Sequence, residues 1–156
     1  MDFDLLKTML KDTIPWVQMS GIDAEVLEER HVKLWVPVKE KHLNHIGVVY
    51  AGTQFMLMEI SGAALFFCTY GVERFIPINK NMSIRYLKPT SKDIFCELSI
   101  SAEDANARIK PIEERGKGDW LLDMSIVDAD GTVISTSTCN YYIISLSNKD
   151  FQLKTG

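Results

Sequence analysis

Residues 46–72 form a run of 27 positions with a single charged side chain, Glu59, near the middle. A run this apolar makes a helix buried on nearly all sides, and the rest of the chain must supply its cover. A carboxylate persists in such a stretch when it is paired, hydrogen-bonded or chemically active. The run opens on a turn of small residues, N-H-I-G-V-V-Y-A-G at 44–52. A helix starting there aims unbonded backbone N–H groups at the space above Ala51 and Gly52. One short segment thus offers both anion-stabilising donors and a base.

By length alone the run would span a bilayer. Glu59 at its centre, Gln54 beside it and the glycines Gly52 and Gly62 speak against a membrane span, because a carboxylate in hydrocarbon costs about 3 kcal/mol or more. Composition points the same way, with 46% apolar and 24% charged residues, as in ordinary soluble domains. A net charge of −4 with no sustained basic run argues against nucleic acid as a partner. A length of 156 residues fits one domain. We place it at 1–146, with an N-terminal helix in 1–14 and a flexible polar tail at 147–156. Cys68, Cys96 and Cys139 are odd in number, widely separated and outside any C-x-x-C spacing. A reducing compartment, the cytoplasm, is the expectation. The acidic N-terminus lacks the apolar core of a signal peptide.

Leu5, Leu6, Met9 and Leu10 share a helical face that ends before Pro15. Over 22–38 the pattern turns to strand, with Val32, Leu34, Val36 and Val38 alternating against His31, Lys33, Trp35 and Pro37. A polar loop over 39–45 leads to the long helix, expected from about Val49 to about Tyr70 and stopped by Gly71. Strands follow at 78–87, where Ile78, Met82, Ile84 and Tyr86 share one face, and at 94–100. A hairpin over 120–127 and 132–144 turns at D-A-D-G, residues 128–131. Between them, Ser101 and Asp104 form a capping signal for a second helix that Gly116 terminates. Pro111 lies inside it, where it removes one helix bond. Strands wrapped around a single apolar helix make an α+β fold.

With that order the chain resembles the hotdog-fold acyl-CoA thioesterases, over roughly 22–145. The phenylacetyl-CoA and 4-hydroxybenzoyl-CoA branches carry N-x-x-G-x-x-H-G-G with an acidic residue seven positions on. Asn44, Gly47, Gly52 and Glu59 match that pattern. Tyr50 stands where those families often have histidine, and Ala51 where they usually have glycine. The S-A-E-D helix start, G-K-G-D and the closing N-Y-Y look most similar to a bacterial subgroup of uncharacterised thioesterase-like hotdogs.

The resemblance implies hydrolysis of a thioester carried by coenzyme A or an acyl carrier. Coenzyme A enters only as part of the substrate, and no separate cofactor or metal is implied. Backbone N–H groups of Ala51 and Gly52 would hold the oxyanion, and their small side chains let a carbonyl approach. Glu59 would activate water or attack directly. Asn44 joins them as a catalytic candidate, with capping of the helix entry as its simpler role. Gly47 and Tyr50 are candidates for contact with substrate. Asn79 stands where some relatives carry a hydroxyl residue that positions water. Arg85 and Lys88, with Lys92 beyond, could receive coenzyme A phosphates. His42, His45 and Cys68 lack a closed four-ligand metal pattern.

Ala51 and Glu59 are eight residues apart, about 12 Å along a helix, so one helix cannot present both to one thioester. If both act, Glu59 comes from a neighbouring protomer, and a homodimer or a tetramer of such dimers is expected. Two rivals remain at this point. One is an acyl-thioester-binding hotdog protein without turnover. The other is a dehydratase of 3-hydroxyacyl thioesters, whose histidine would have to be His45.

Overall fold

The computed structural model describes residues 3–147, so the expected tail beyond Ser147 lies outside the described residues. The long helix runs over Ala51–Tyr70 and is labelled α3. Before it come α1 (Phe3–Asp12), α2 (Pro15–Ser20), strand β1 (Asp23–Glu28) and strand β2 (His31–Val36). After it come β3 (Phe75–Tyr86), β4 (Ile94–Ser99), α4 (Ala102–Arg115), β5 (Lys117–Asp128) and β6 (Val133–Ser145). The six strands form one antiparallel sheet in the order β1-β2-β4-β5-β6-β3. This sheet wraps around α3, which is the α+β hotdog arrangement implied by the sequence.

Alternation explains the cover. Val32, Leu34 and Val36 on β2 are buried while their neighbours are half-exposed. Trp120, Leu122, Met124 and Ile126 do the same on β5. Leu57, Met58, Ala64, Leu65 and Phe66 of α3 are fully enclosed, each larger one contributing about 1.5–3 kcal/mol. Phe66 anchors the C-terminal half, with Tyr70, Trp120 and Phe75 rings 4.8, 5.4 and 6.2 Å from its own. α3 is long and apolar enough to cross a membrane by length and composition. Here it is the core helix of the sheet.

Several boundaries differ from the sequence reading, each for a physical reason. Leu6 and Leu10 are buried as expected on α1, while the side chains of Leu5 and Met9 lie outside the described residues. The helical pattern resumes beyond Pro15 as α2, with proline at the first position and Gly21 closing it at φ 73°. α3 begins at Ala51 rather than Val49, because Val49 is held by the Thr90 carbonyl and pairs with Leu43. Pro111 is accommodated within α4, whose N-cap Ser101 accepts from the Asp104 N–H as the capping signal implied.

The difference that matters most is in β3. The expected inward face held Ile78 together with Met82, Ile84 and Tyr86. A bulge between Asn79 and Asn81 leaves Lys80 without a partner in the register and switches the phase. Asn79 therefore lies opposite Tyr141, on the α3 side, and Ile78 turns outward, 44% exposed.

Tyr141 couples sheet to helix. It is buried, and its hydroxyl donates to the Glu59 carbonyl at 2.6 Å. Gly62 makes this approach possible, since a Cβ there would stand 2.2 Å from the Tyr141 hydroxyl oxygen. Gly62→Ala is expected to cost about 1–3 kcal/mol by overpacking. Tyr141→Phe should cost about 1 kcal/mol, and in the double variant the two losses should be less than additive. Denaturant midpoints of the four proteins check this.

Candidate functional site

The loop before α3 is shaped by Asn44. Its side-chain oxygen accepts from the N–H groups of Ile46 and Val48 at 3.0 and 3.3 Å. Its backbone N–H donates to Val48, and its carbonyl accepts from Gly47. Gly47 closes the turn at φ 79°, a conformation that favours glycine, with open space around it. Asn44 and Gly47 thus set the path that delivers Tyr50 and Ala51 to the helix start.

Tyr50 is the N-cap, with extended backbone at φ −64° and ψ 141° and no side-chain cap bond. Its N–H donates to the His42 carbonyl at 2.9 Å. Its own carbonyl accepts from Thr53 and Gln54, which leaves Ala51 and Gly52 as the first-turn donors pointing beyond the helix. The Tyr50 ring lies over Gly52, where a Cβ would come within 2.5 Å of a ring carbon. A side chain at 52 would have to push the exposed Tyr50 ring aside. Tyr86, which the sequence reading did not single out, reaches the Ala51 carbonyl through a long 3.3 Å contact.

His42 fixes this end of the molecule from below. It is buried, accepts from the Lys39 N–H on Nδ1 at 2.9 Å, and holds the Ser20 carbonyl on Nε2 at 2.6 Å. With Nδ1 accepting, Nε2 carries the proton, and both ring nitrogens are occupied within the fold. Among the described residues no group of three or more His, Cys, Asp and Glu side chains gathers around a common point.

Ala51 and Phe55 are exposed, while Gly52, Met56, Glu59 and Ala63 are half-buried. These positions recur three and four apart and make up one uncovered flank of α3. β3, an edge strand of the sheet, lies beside it. Glu59 faces Asn79 on that flank, and the Asn79 amide acts on the carboxyl as a hydrogen-bond donor would. Burial pushes the Glu59 carboxyl above its ordinary range, and the Asn79 amide pulls it part of the way back. Cys139, beneath, is buried with its thiol pushed up to about 11, first by burial.

The other candidates fall elsewhere. Arg85 is on the outer sheet face with Ser83, Asp123, Ser125, Thr136 and Thr138, across the sheet from Glu59. The structure does not bring it to the helix start. Lys88 follows β3 at the end where Tyr86 meets Ala51, its N–H bonded to the Ile134 carbonyl. Cys68 and Cys96 are buried, with thiols pushed up to about 12 by burial, so neither serves as a ready thiolate.

Residues 4–143 match the family described as Domain of unknown function (DUF4442). The chain belongs to this family. Among solved structures, a Pseudomonas aeruginosa protein of unknown function, described as a probable thioesterase, is 36% identical to it. That match covers 93% of this chain and 97% of the other, with a TM-score of 0.86. A thioesterase from Haemophilus influenzae matches over 97% and 96% of the two chains at 13% identity and TM-score 0.73. Thioesterase superfamily member 2 from Mus musculus matches over 89% and 95% at 15% identity and TM-score 0.68. At such identities the likeness is one of fold. Among curated proteins none matches. This DUF4442 chain thus has the hotdog fold of the thioesterase superfamily.

The Glu59 environment yields a test independent of turnover. Removing the donor with Asn79→Ala should move the carboxyl titration further up, read by carbon NMR of the Glu59 side chain. A carboxyl raised on folding favours the fold in its neutral form. Its contribution is full below the unfolded value and lost as pH rises through the folded value. Glu59→Gln should therefore flatten the fall in melting temperature between those two values.

Proposed function

We propose that this protein is a thioesterase that hydrolyses an acyl thioester of coenzyme A or an acyl carrier, in a site shared by two protomers. The observation that carries the reading is the uncovered flank of α3. It holds two unbonded first-turn donors at one end and a raised carboxyl, with the Asn79 amide facing it, further along. The 36% identical probable thioesterase from Pseudomonas aeruginosa supports it.

The separation of Ala51 from Glu59 along an unbroken helix, about 12 Å, supports a second protomer as the source of the base. So does the surface beside it. The twelve-residue β3 is at the sheet edge, and Tyr50, Phe55, Ile78, Tyr86 and Leu87 are exposed along or near it. Exposed edges and apolar side chains of this kind are covered by pairing with another chain.

In the reaction, the thioester carbonyl oxygen accepts from the Ala51 and Gly52 N–H groups of one protomer. The other protomer's Glu59 takes a proton from water as the water oxygen bonds to the carbonyl carbon. Collapse of the tetrahedral intermediate breaks the carbon–sulfur bond, and Glu59 returns the proton to the leaving thiolate. Direct attack by Glu59 passes instead through an anhydride that water then opens. Base action needs the ionised carboxylate, so the rate should rise with pH through the raised Glu59 titration. Asn79 keeps that point from rising further.

Release of free thiol from a panel of acyl-CoAs is the test. Glu59→Gln should lower turnover of the best substrate by about 100-fold or more without loss of folding. A parental rate in that variant would make Glu59 structural. Tyr50→Phe should have little effect if the ring acts by packing over Gly52. A fall of roughly 5- to 150-fold would instead assign the hydroxyl a hydrogen bond to the substrate carbonyl. Binding of thioesters with no thiol released by the parent would support the rival, a binding protein.

A further inference from the structure

A cavity of about 290 Å³ lies between α2 and the start of α3, lined by Trp16, Met19, Ile22, His42, Gly52 and Met56 among others. It opens beside the Ala51 and Gly52 donors, on the flank that also carries Glu59. Its roof is exposed, with Trp16 and Met19 67% and 64% accessible on a six-residue helix. Nothing in the fold requires two large apolar side chains to project from α2 in this way.

Apart from the Tyr50 hydroxyl at the mouth, the polar side chains of the walls each bond within the protein. His42 uses both ring nitrogens. The Ser20 hydroxyl donates to Val17 and accepts from the Ile22 N–H. The Thr53 hydroxyl donates to the His42 carbonyl, and the Lys41 ammonium donates to the Met19 carbonyl. A pantetheine arm, with two amides to satisfy, would find few partners here, whereas an alkyl chain needs none. We infer that this groove receives the acyl chain of the substrate, a linear chain of roughly eight to ten carbons. The size follows from about 30 Å³ per methylene, the share one water takes in the liquid.

The inference rests on the thioesterase reading, so its test uses binding rather than turnover. In the Glu59→Gln background, which preserves the substrate, calorimetry compares decanoyl-CoA, acetyl-CoA and free coenzyme A. Each buried methylene tightens binding by roughly four-fold before ordering costs. Decanoyl-CoA should therefore bind at least about 100-fold tighter than acetyl-CoA. Met56→Trp, which fills the groove, should collapse that ratio. Met19→Glu, at an exposed position where folding is not at stake, should reduce it as well. Equal affinities for the two thioesters, or a ratio untouched by both variants, would overturn the proposal. If Met19→Glu converts a dimer to monomer in sedimentation while the ratio holds, a second copy covers the groove and the proposal fails. If the ratio behaves as expected but the parent releases no thiol from any thioester, the acyl groove stands and the hydrolytic reading falls.

Discussion

Everything in this fold follows from the need to cover one apolar helix. The sheet curls around α3, and the cover is most open along the flank from Ala51 to Ala63. A helix with twenty residues and one carboxylate can tolerate that carboxylate only where the cover is open and a donor stands near. Glu59 occupies that place, with Asn79 as its donor and its own carbonyl tied to Tyr141. The hydrogen bond to the carbonyl fixes the helix against the sheet at the very residue whose side chain must be positioned. Gly62, one turn on, allows the contact.

The two ends of the site are built by different means. The donor end depends on the loop geometry of Asn44 and Gly47, on the Tyr50 ring over Gly52 and on the His42 imidazole that links this loop to α2. The carboxylate end depends on the β3 bulge. Without the extra residue, Asn79 would point away from α3 and Ile78 would stand beside Glu59. An isoleucine there would take that donor away from the half-buried carboxylate, a loss of about 1 kcal/mol.

Much of this was legible in the sequence because it is written in local patterns. The length of the apolar run, the alternation on β2 and β5, the Ser101 cap and the stop at Gly71 each follow from rules that act over a few residues. The loop motif with Glu59 was readable in the same way, since it is contiguous. What could not be read depends on partners distant in the chain. The phase of β3 is set by pairing with β6, about 60 residues on, and single-strand alternation gives no sign of a bulge. Arg85 was a candidate by its place on the strand after the helix; alternation alone already set it opposite Met82 and Ile84, on the outer face where it lies. α2 was missed because Pro15 was read only as a terminator, although proline followed by glycine six residues later also frames a short helix.

The central claim is that two protomers share one site, with donors from one helix start and the base from the other. Mixed dimers test it most directly. Ala51→Pro deletes one donor with little distortion, since proline suits the first helical position and Tyr50 already has the extended backbone preferred before proline. Glu59→Gln deletes the base. Each variant alone should be nearly inactive on the best acyl-CoA. After mixing and subunit exchange, half the dimers carry one variant of each kind, and one of their two sites is intact. Thiol release should then recover to about a quarter of the parental rate. Recovery no greater than the sum of the two separate variants would contradict the shared site.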